Sequence, residues 1–321
     1  MKILAIKFAQ FGDIVQSLGA FQDISNHYNV KIDILTSKPY RAIFENLPFV
    51  DKIYVSDRRK KDLIKLHTVL PTKSYNYVFD LPGSRIETYN TWLRNKLYEF
   101  YIFRKSKFIT LLNTIPKKEI KQHCNLYSHL DWNAMILKRM SIEIKQTYHS
   151  PIKYAQDNSF NPPAIQNPYI FIAPFCSKPK TADHKRWPNF KALMELLQKD
   201  FPSLNLVTVP GPGELELADQ LPATKILYKN CKATSIPQLI KIINQACYVI
   251  SLDTGAAHVA CHLGKPGRVI GGKTMQPQPL GLESNAFKII HFTKKDLKDV
   301  TADEFYAFIK NDLEKYVEAL A

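Results

Sequence analysis

The chain has 321 residues, a formal net charge of +15, and 45% hydrophobic and 12% aromatic residues. That length and apolar content suit two folded domains and exclude a disordered chain. No apolar run reaches the roughly 18 residues of a membrane span, Lys7 interrupts the N-terminal apolar stretch so that no signal peptide is expected, and the five scattered cysteines, with no CxxC pair, read as reduced thiols of a cytoplasmic protein. The charge favours anionic partners, among them nucleic acid, phosphorylated small molecules and an anionic membrane face. Cations cluster at Arg58-Arg59-Lys60-Lys61 and at Lys117-Lys118 with Lys121.

The first half alternates strands and helices. Ile3 to Phe8 reads as a strand, and Asp13 to His27 as a helix with Ile14, Leu18 and Phe21 at helical spacing. Lys31 to Leu35, Lys52 to Val55 and Tyr75 to Asp80 read as further strands, with a short helix from Tyr40 to Asn46. Asn90 to Lys105 and Leu126 to Arg139 are expected to be helical. This rhythm predicts a parallel sheet covered by helices. Asp157 to Pro168, rich in Pro and Asn, reads as a linker. A second series follows: a strand at Tyr169 to Ala173, a helix at Asn189 to Lys199, a strand at Leu204 to Val209, then Pro210-Gly211-Pro212-Gly213 and a helix from Glu214. Ser235 to Asn244 is a helix, Cys247 to Leu252 a buried strand, and Asp303 to Leu320 a final amphipathic helix.

The most informative stretch follows that buried strand. Asp253-Thr254-Gly255-Ala256-Ala257-His258 starts a helix that stops at Gly264-Lys265-Pro266. Asp and Thr are helix-start residues, and the helix N-terminus offers free N–H groups to a phosphate. A strand-turn-helix of this kind is where open α/β sheets bind ligands.

The same residues resemble the signature of the heptosyltransferases, glycosyltransferase family 9. Three further segments match in order: Phe11-Gly12-Asp13, the Asp-Leu-x-Gly pattern at Asp80-Leu81-Pro82-Gly83, and the Lys-x-Trp-Pro pattern at Lys185-Arg186-Trp187-Pro188. The resemblance runs from the first strand to about Leu282. It implies a GT-B fold, two Rossmann-like domains with parallel sheets facing across a cleft. Residues 1–160 would bind the acceptor and 161–300 the nucleotide-sugar, with a helix at 301–321 packing back on the N-terminal domain. The implied activity is inverting transfer of heptose from ADP-heptose to an anionic inner-core acceptor of lipopolysaccharide, without a metal cofactor, by a cytoplasmic protein peripheral to the inner membrane of a Gram-negative bacterium. A transferase of the same fold using another nucleotide-sugar or a protein acceptor is the first alternative. A basic nucleic-acid-binding protein is the second; no aromatic-basic recognition motif supports it, so no nucleic acid is expected as a partner.

Such a transfer needs a base for the acceptor hydroxyl and a positive site for the leaving diphosphate. Position alone lets Asp13 be an N-cap for the helix at Ile14; the resemblance makes it the base. Lys185 is the expected diphosphate contact, with Thr181 beside it in the preceding loop. Asp253, Thr254, Gly255, Ala256 and Ala257 would hold diphosphate and donor sugar. His258 reads either as a supporting residue or as a half-buried histidine. Gly12, Asp80, Gly83, Arg85 and Arg58 are the acceptor-side candidates. Trp187 reads as a packing residue.

Two other patterns carry competing chemistry. His258 and His262, four apart with Cys261 between them, have metal-ligand spacing, but no third ligand is evident in the sequence. Gly267 to Thr274 fits the P-loop pattern G-x-x-x-x-G-K-T, yet its only strand candidate lies inside the motif and Pro277 and Pro279 obstruct a following helix. Where the family commonly has Gly-Pro-Thr, this chain has Gly272-Lys273-Thr274, which leaves a phosphate contact open to Lys273. Ala9-Gln10 also departs from the hydroxyl residues that relatives carry before the Gly-Asp turn.

Overall fold

The computed structural model describes residues 1–321 except 57–69, 72–73, 83–95, 97–98, 100–101, 125, 163–167, 177–185, 228–231, 274, 276–280 and 319–321. The chain divides into two compact units. Met1–Ala155 form the first, joined by a short piece that includes Gly281; Gln156–Pro277 and Leu282–Ala321 form the second.

The first unit is built on a parallel sheet of β1 (Ile3–Lys7), β2 (Ile32–Thr36), β3 (Val50–Val55), β4 (Tyr77–Asp80) and β5 (Lys107–Thr110). Its order is β3-β2-β1-β4-β5. β1 is buried along its whole length, as a central strand covered on both faces must be. Successive side chains point to opposite faces. Leu4 and Ile6 therefore join Leu35, Val78, Tyr75 and Phe103 in one cluster. Covering helices include α1 (Phe11–Val15), α2 (Leu18–Tyr28), α3 (Arg41–Phe44), α4 (Leu111–Thr114), α5 (Lys117–His123) and α6 (His129–Arg139).

The second unit repeats the plan with β6 (Tyr169–Ala173), β7 (Asn205–Thr208), β8 (Thr224–Lys225), β9 (Tyr248–Ser251), β10 (Gly267–Gly272) and β11 (Phe287–Phe292). The order is β11-β10-β9-β6-β7-β8, again parallel. Its helices are α7 (Phe190–Asp200), α8 (Leu215–Ala218), α9 (Ile236–Gln245), α10 (Gly255–His262) and α11 (Ala302–Glu318). The alternating sequence pattern predicts this two-unit parallel α/β architecture.

Two differences from the sequence expectation have physical causes. The helix expected from Asp13 to His27 is two helices. Ser17 breaks it: its hydroxyl donates to Asp13 O at 2.9 Å and its N–H to Ile14 O at 2.9 Å, the local side-chain bonding by which Ser competes with a continuous helix. β5 and β11 were not foreseen. Both are edge strands, and each carries a lysine, Lys107 and Lys288, that masks the apolar pattern. The expected Asn90 to Lys105 helix falls largely outside the described residues.

The C-terminal helix α11 belongs to the second unit. Phe305, Ile309 and Leu313, four residues apart, are fully buried in the second unit's core with Trp187, Phe190 and Leu193. Polar contacts fix the helix there. Asp312 accepts from the Tyr248 hydroxyl at 2.8 Å and pairs with Arg268 at 2.6 Å. Asp200 accepts from Tyr306 at 2.6 Å, and Lys295 pairs with Glu304.

Removing the Phe305 ring should leave a cavity and destabilise the second unit by about 3–5 kcal/mol, read by urea unfolding of Phe305→Ala. The Tyr306 hydroxyl, then Lys310, holds Asp200 below the usual carboxylate range; Lys295, then the Thr301 N–H, does the same for Glu304. Depressed carboxylates contribute stability above their unfolded values and lose it as pH falls through their folded values. The melting temperature should therefore drop as pH falls below about 4, and less so in an Asp200→Asn, Glu304→Gln double variant.

Candidate active site

In both units the strand order reverses beside the central strand, between β1 and β4 and between β6 and β9. Crevices at such points, outside the carboxyl ends of the strands, are where doubly wound sheets bind ligands.

In the first unit β1 ends at Lys7, and after Phe8-Ala9-Gln10 the chain enters α1. The N-cap of α1 is Gln10, with no side-chain cap bond. Asp13 lies inside the first turn, so the reading of Asp13 as the N-cap does not hold. Its side chain is almost buried, at 6% exposure. His129 Nδ1 stands 3.1 Å from Asp13 Oδ1. Gly12 is the second residue of α1 and its carbonyl accepts from Gln16 N at 3.0 Å. Asp80, the last residue of β4, is buried and in register with Ile6. It therefore stands beside the β1 exit. Gly83, Arg85 and Arg58 lie outside the described residues.

Two side chains here were missed by sequence reasoning. Lys7 is 1% exposed, and its Nζ donates to Pro82 O at 2.6 Å and Leu81 O at 3.4 Å. It ties the β1 exit to the segment after β4. A lysine inside an otherwise apolar central strand was the available signal. His129 is the first residue of α6, whose start is fixed by a capping box: Ser128 Oγ accepts from Asp131 N at 3.2 Å, and Asp131 Oδ2 accepts from Ser128 N at 2.8 Å. Nothing in the sequence joins His129 to Asp13.

In the second unit β9 ends at Ser251 and α10 starts at Gly255, with extended Thr254 as its N-cap. The Thr254 side chain does not cap the helix; its Oγ1 lies 3.3 Å from Ser251 Oγ. Among the described residues no side chain caps this turn, and the N–H groups at Gly255, Ala256 and Ala257 have no partner within the helix, as a site for a ligand anion requires. His258 is buried below the turn, its Nε2 4.0 Å from Asp253 Oδ1. Gly264-Lys265-Pro266 serves structure. Gly264 has φ +69°, its N–H donates to Cys261 O, and Lys265 N donates to Ala260 O, so the helix stops there. Burial pushes the Lys265 ammonium down from its ordinary value, and its Nζ donates to Asn244 O at 3.0 Å.

Lys185 and Thr181 lie outside the described residues. Trp187, next to them, is a packing residue as expected: it is 4% exposed, with Nε1 donating to Val300 O at 2.7 Å and edge contacts to Phe190 and Phe305.

Both competing patterns have structural explanations. Gly267–Gly272 forms strand β10, flanked by β9 and β11, and not a phosphate loop. Lys273 Nζ pairs with Asp296 at 3.0 Å. Among the described residues no group of three His, Cys, Asp or Glu is placed to hold a metal. Burial pushes the Cys261 thiol up to about 11. No helix among the described residues is long and apolar enough to cross a membrane.

The family described as glycosyltransferase family 9 (heptosyltransferase) matches residues 115–301. The chain is 24% identical to lipopolysaccharide heptosyltransferase 1 of Campylobacter coli, over 92% of this chain and 90% of that one. Its fold matches that of the E. coli heptosyltransferase WaaC solved with ADP-2-deoxy-2-fluoro heptose, with a TM-score of 0.69 and 18% identity, covering 97% of this chain and 100% of that one. It also matches E. coli ADP-heptose lps heptosyltransferase II, with a TM-score of 0.68 and 17% identity, covering 98% and 99%. The chain belongs to glycosyltransferase family 9, the heptosyltransferase family.

Proposed function

We propose that the protein transfers a heptose from ADP-heptose to an anionic inner-core acceptor of lipopolysaccharide, with inversion at the anomeric carbon. The observation that carries the reading is a nearly buried carboxylate, Asp13, in the first helix after the central strand β1, the strand that borders the strand-order reversal. Asp13 takes the proton of the acceptor hydroxyl as its oxygen bonds to the anomeric carbon. The bond from that carbon to the diphosphate breaks, and its electron pair leaves with ADP. The uncapped first turn of α10, from Thr254 to Ala257, and Lys185 hold the departing charge. Asp253 meets the sugar hydroxyls or braces the turn, with His258 behind it. Gly12, Asp80, Gly83, Arg85 and Arg58 serve the acceptor.

WaaC, of the same fold, has been solved with an ADP-heptose analogue, which supports this donor class. No metal takes part in the proposed step, because the positive charge comes from Lys185 and backbone N–H groups. The net charge of +15 suits an anionic acceptor and work at the anionic cytoplasmic face of the inner membrane.

A ligand that binds only the native state raises its melting temperature by mass action. ADP and ADP-heptose should do so with and without chelator, while UDP and UDP-glucose should not. A preference for UDP-sugars would overturn the donor. Asp13→Asn should lower kcat by about 10²–10⁴-fold and leave ADP affinity unchanged. Normal turnover in that variant would remove Asp13 as the base.

A further inference from the structure

Buried polar groups concentrate where the end of α1 meets α6. Asp13 and Gln16 are three apart on one side; His129 and Asn133 are four apart on the other, so each pair shares a helix face. Asp13 is 6% exposed, Gln16 2% and Asn133 0%. Asn133 Nδ2 donates to Gln16 O at 3.3 Å, and His129 Nδ1 stands 3.1 Å from Asp13 Oδ1. That nitrogen is buried and makes no hydrogen bond among the described residues, so its approach to Asp13 is a close polar contact whose N–H geometry is unfinished. Gln16 Oε1 and Asn133 Oδ1 are buried without hydrogen-bond partners among them. Apolar side chains would fill such a seam at lower cost, since a buried polar atom left unpaired is destabilising. The seam is better explained by a demand on Asp13 than by packing.

We propose that His129 is the positioning residue of the base: its Nδ1–H holds Asp13 Oδ1 and so orients the carboxylate toward the acceptor hydroxyl. The Asn133–Gln16 contact sets the register of α6 against α1, and the Ser128 capping box sets where His129 begins the helix. His129 keeps its proton throughout. The acceptor proton goes to Asp13, and His129 neither makes nor breaks a covalent bond. The proposal rests on Asp13 being the base.

The test is steady-state kinetics with ADP-heptose and a heptose-free lipopolysaccharide acceptor, with a melting curve for every variant. His129→Ala should lower kcat about tenfold or more with donor KM changed less than about twofold. His129→Asn, whose amide N–H stands near the Nδ1 position, should recover most of the loss; His129→Gln, whose amide matches Nε2, should not. In an Asp13→Asn background His129→Ala should add nothing, because its effect runs through the carboxylate. Wild-type kcat in His129→Ala, with Asp13→Asn impaired, overturns the proposal alone. A His129→Ala loss that persists in the Asp13→Asn background, or that Asn fails to rescue at unchanged melting temperature, also overturns it. Should the alanine variant fail to fold, His129→Asn against His129→Gln decides. Normal turnover in Asp13→Asn overturns the base assignment and the proposal with it.

Discussion

The chemistry of each unit depends on one topological constraint, the parallel pairing of a central strand with neighbours that lead the chain in opposite directions. β1 lies between β2 and β4, and β6 between β7 and β9. The connections leaving such a pair run to opposite sides of the sheet, and the gap between them opens at the carboxyl ends. The register of Ile6 with Asp80 places the β4 carboxylate beside the β1 exit that leads to Asp13. The register of Ala173 with Ser251 places the Asp253–Ala257 turn beside the carboxyl end of β6. The residues of each half are thus gathered by hydrogen-bond ladders and not by proximity in sequence.

Buried charge then fixes the loops that the ladders bring together. An ammonium taken out of water costs several kcal/mol unless it is paired or hydrogen-bonded. Lys7 meets that demand with the carbonyls of Leu81 and Pro82. The cost of burial thereby becomes a restraint on the segment that follows β4. His129 acts on Asp13 in the same manner. In both places a polar side chain inside an apolar setting sacrifices stability for position.

The sheets were legible because buried parallel strands are short apolar runs and the helices between them carry a stripe at helical spacing; Tyr169–Ala173 coincides with its expected span. The edge strands β5 and β11 were not legible, since Lys107 and Lys288 interrupt their apolar pattern, whereas the edge strand β3 was. The stripe of Phe305, Ile309 and Leu313 announced that the last helix buries a face, but a stripe carries no address. The address came from Asp312 meeting Tyr248 and Arg268. Asp13 and the Asp253–His258 turn could be proposed from the sequence, through motif resemblance and because each follows its strand in the chain. His129 was not, because its relation to Asp13 is created only when α6 packs beside α1.

Two glycine-bearing strings in the second unit show why a motif is not yet a site. Gly267 to Thr274 matches a phosphate-loop pattern in every letter, and Asp253 to His258 matches it nowhere. In the first, the backbone is occupied: β10 is flanked by β9 and β11, and a side chain on Gly267 would collide with Val249 O and Phe287. In the second, an extended Thr254 starts a helix with no side-chain cap, and the N–H groups of its first turn have no partner within the helix. Affinity for an anion belongs to backbone whose hydrogen bonding is unfinished. Glycine permits that state but does not create it. The fold creates it, by ending a parallel strand at a strand-order reversal and beginning a helix there.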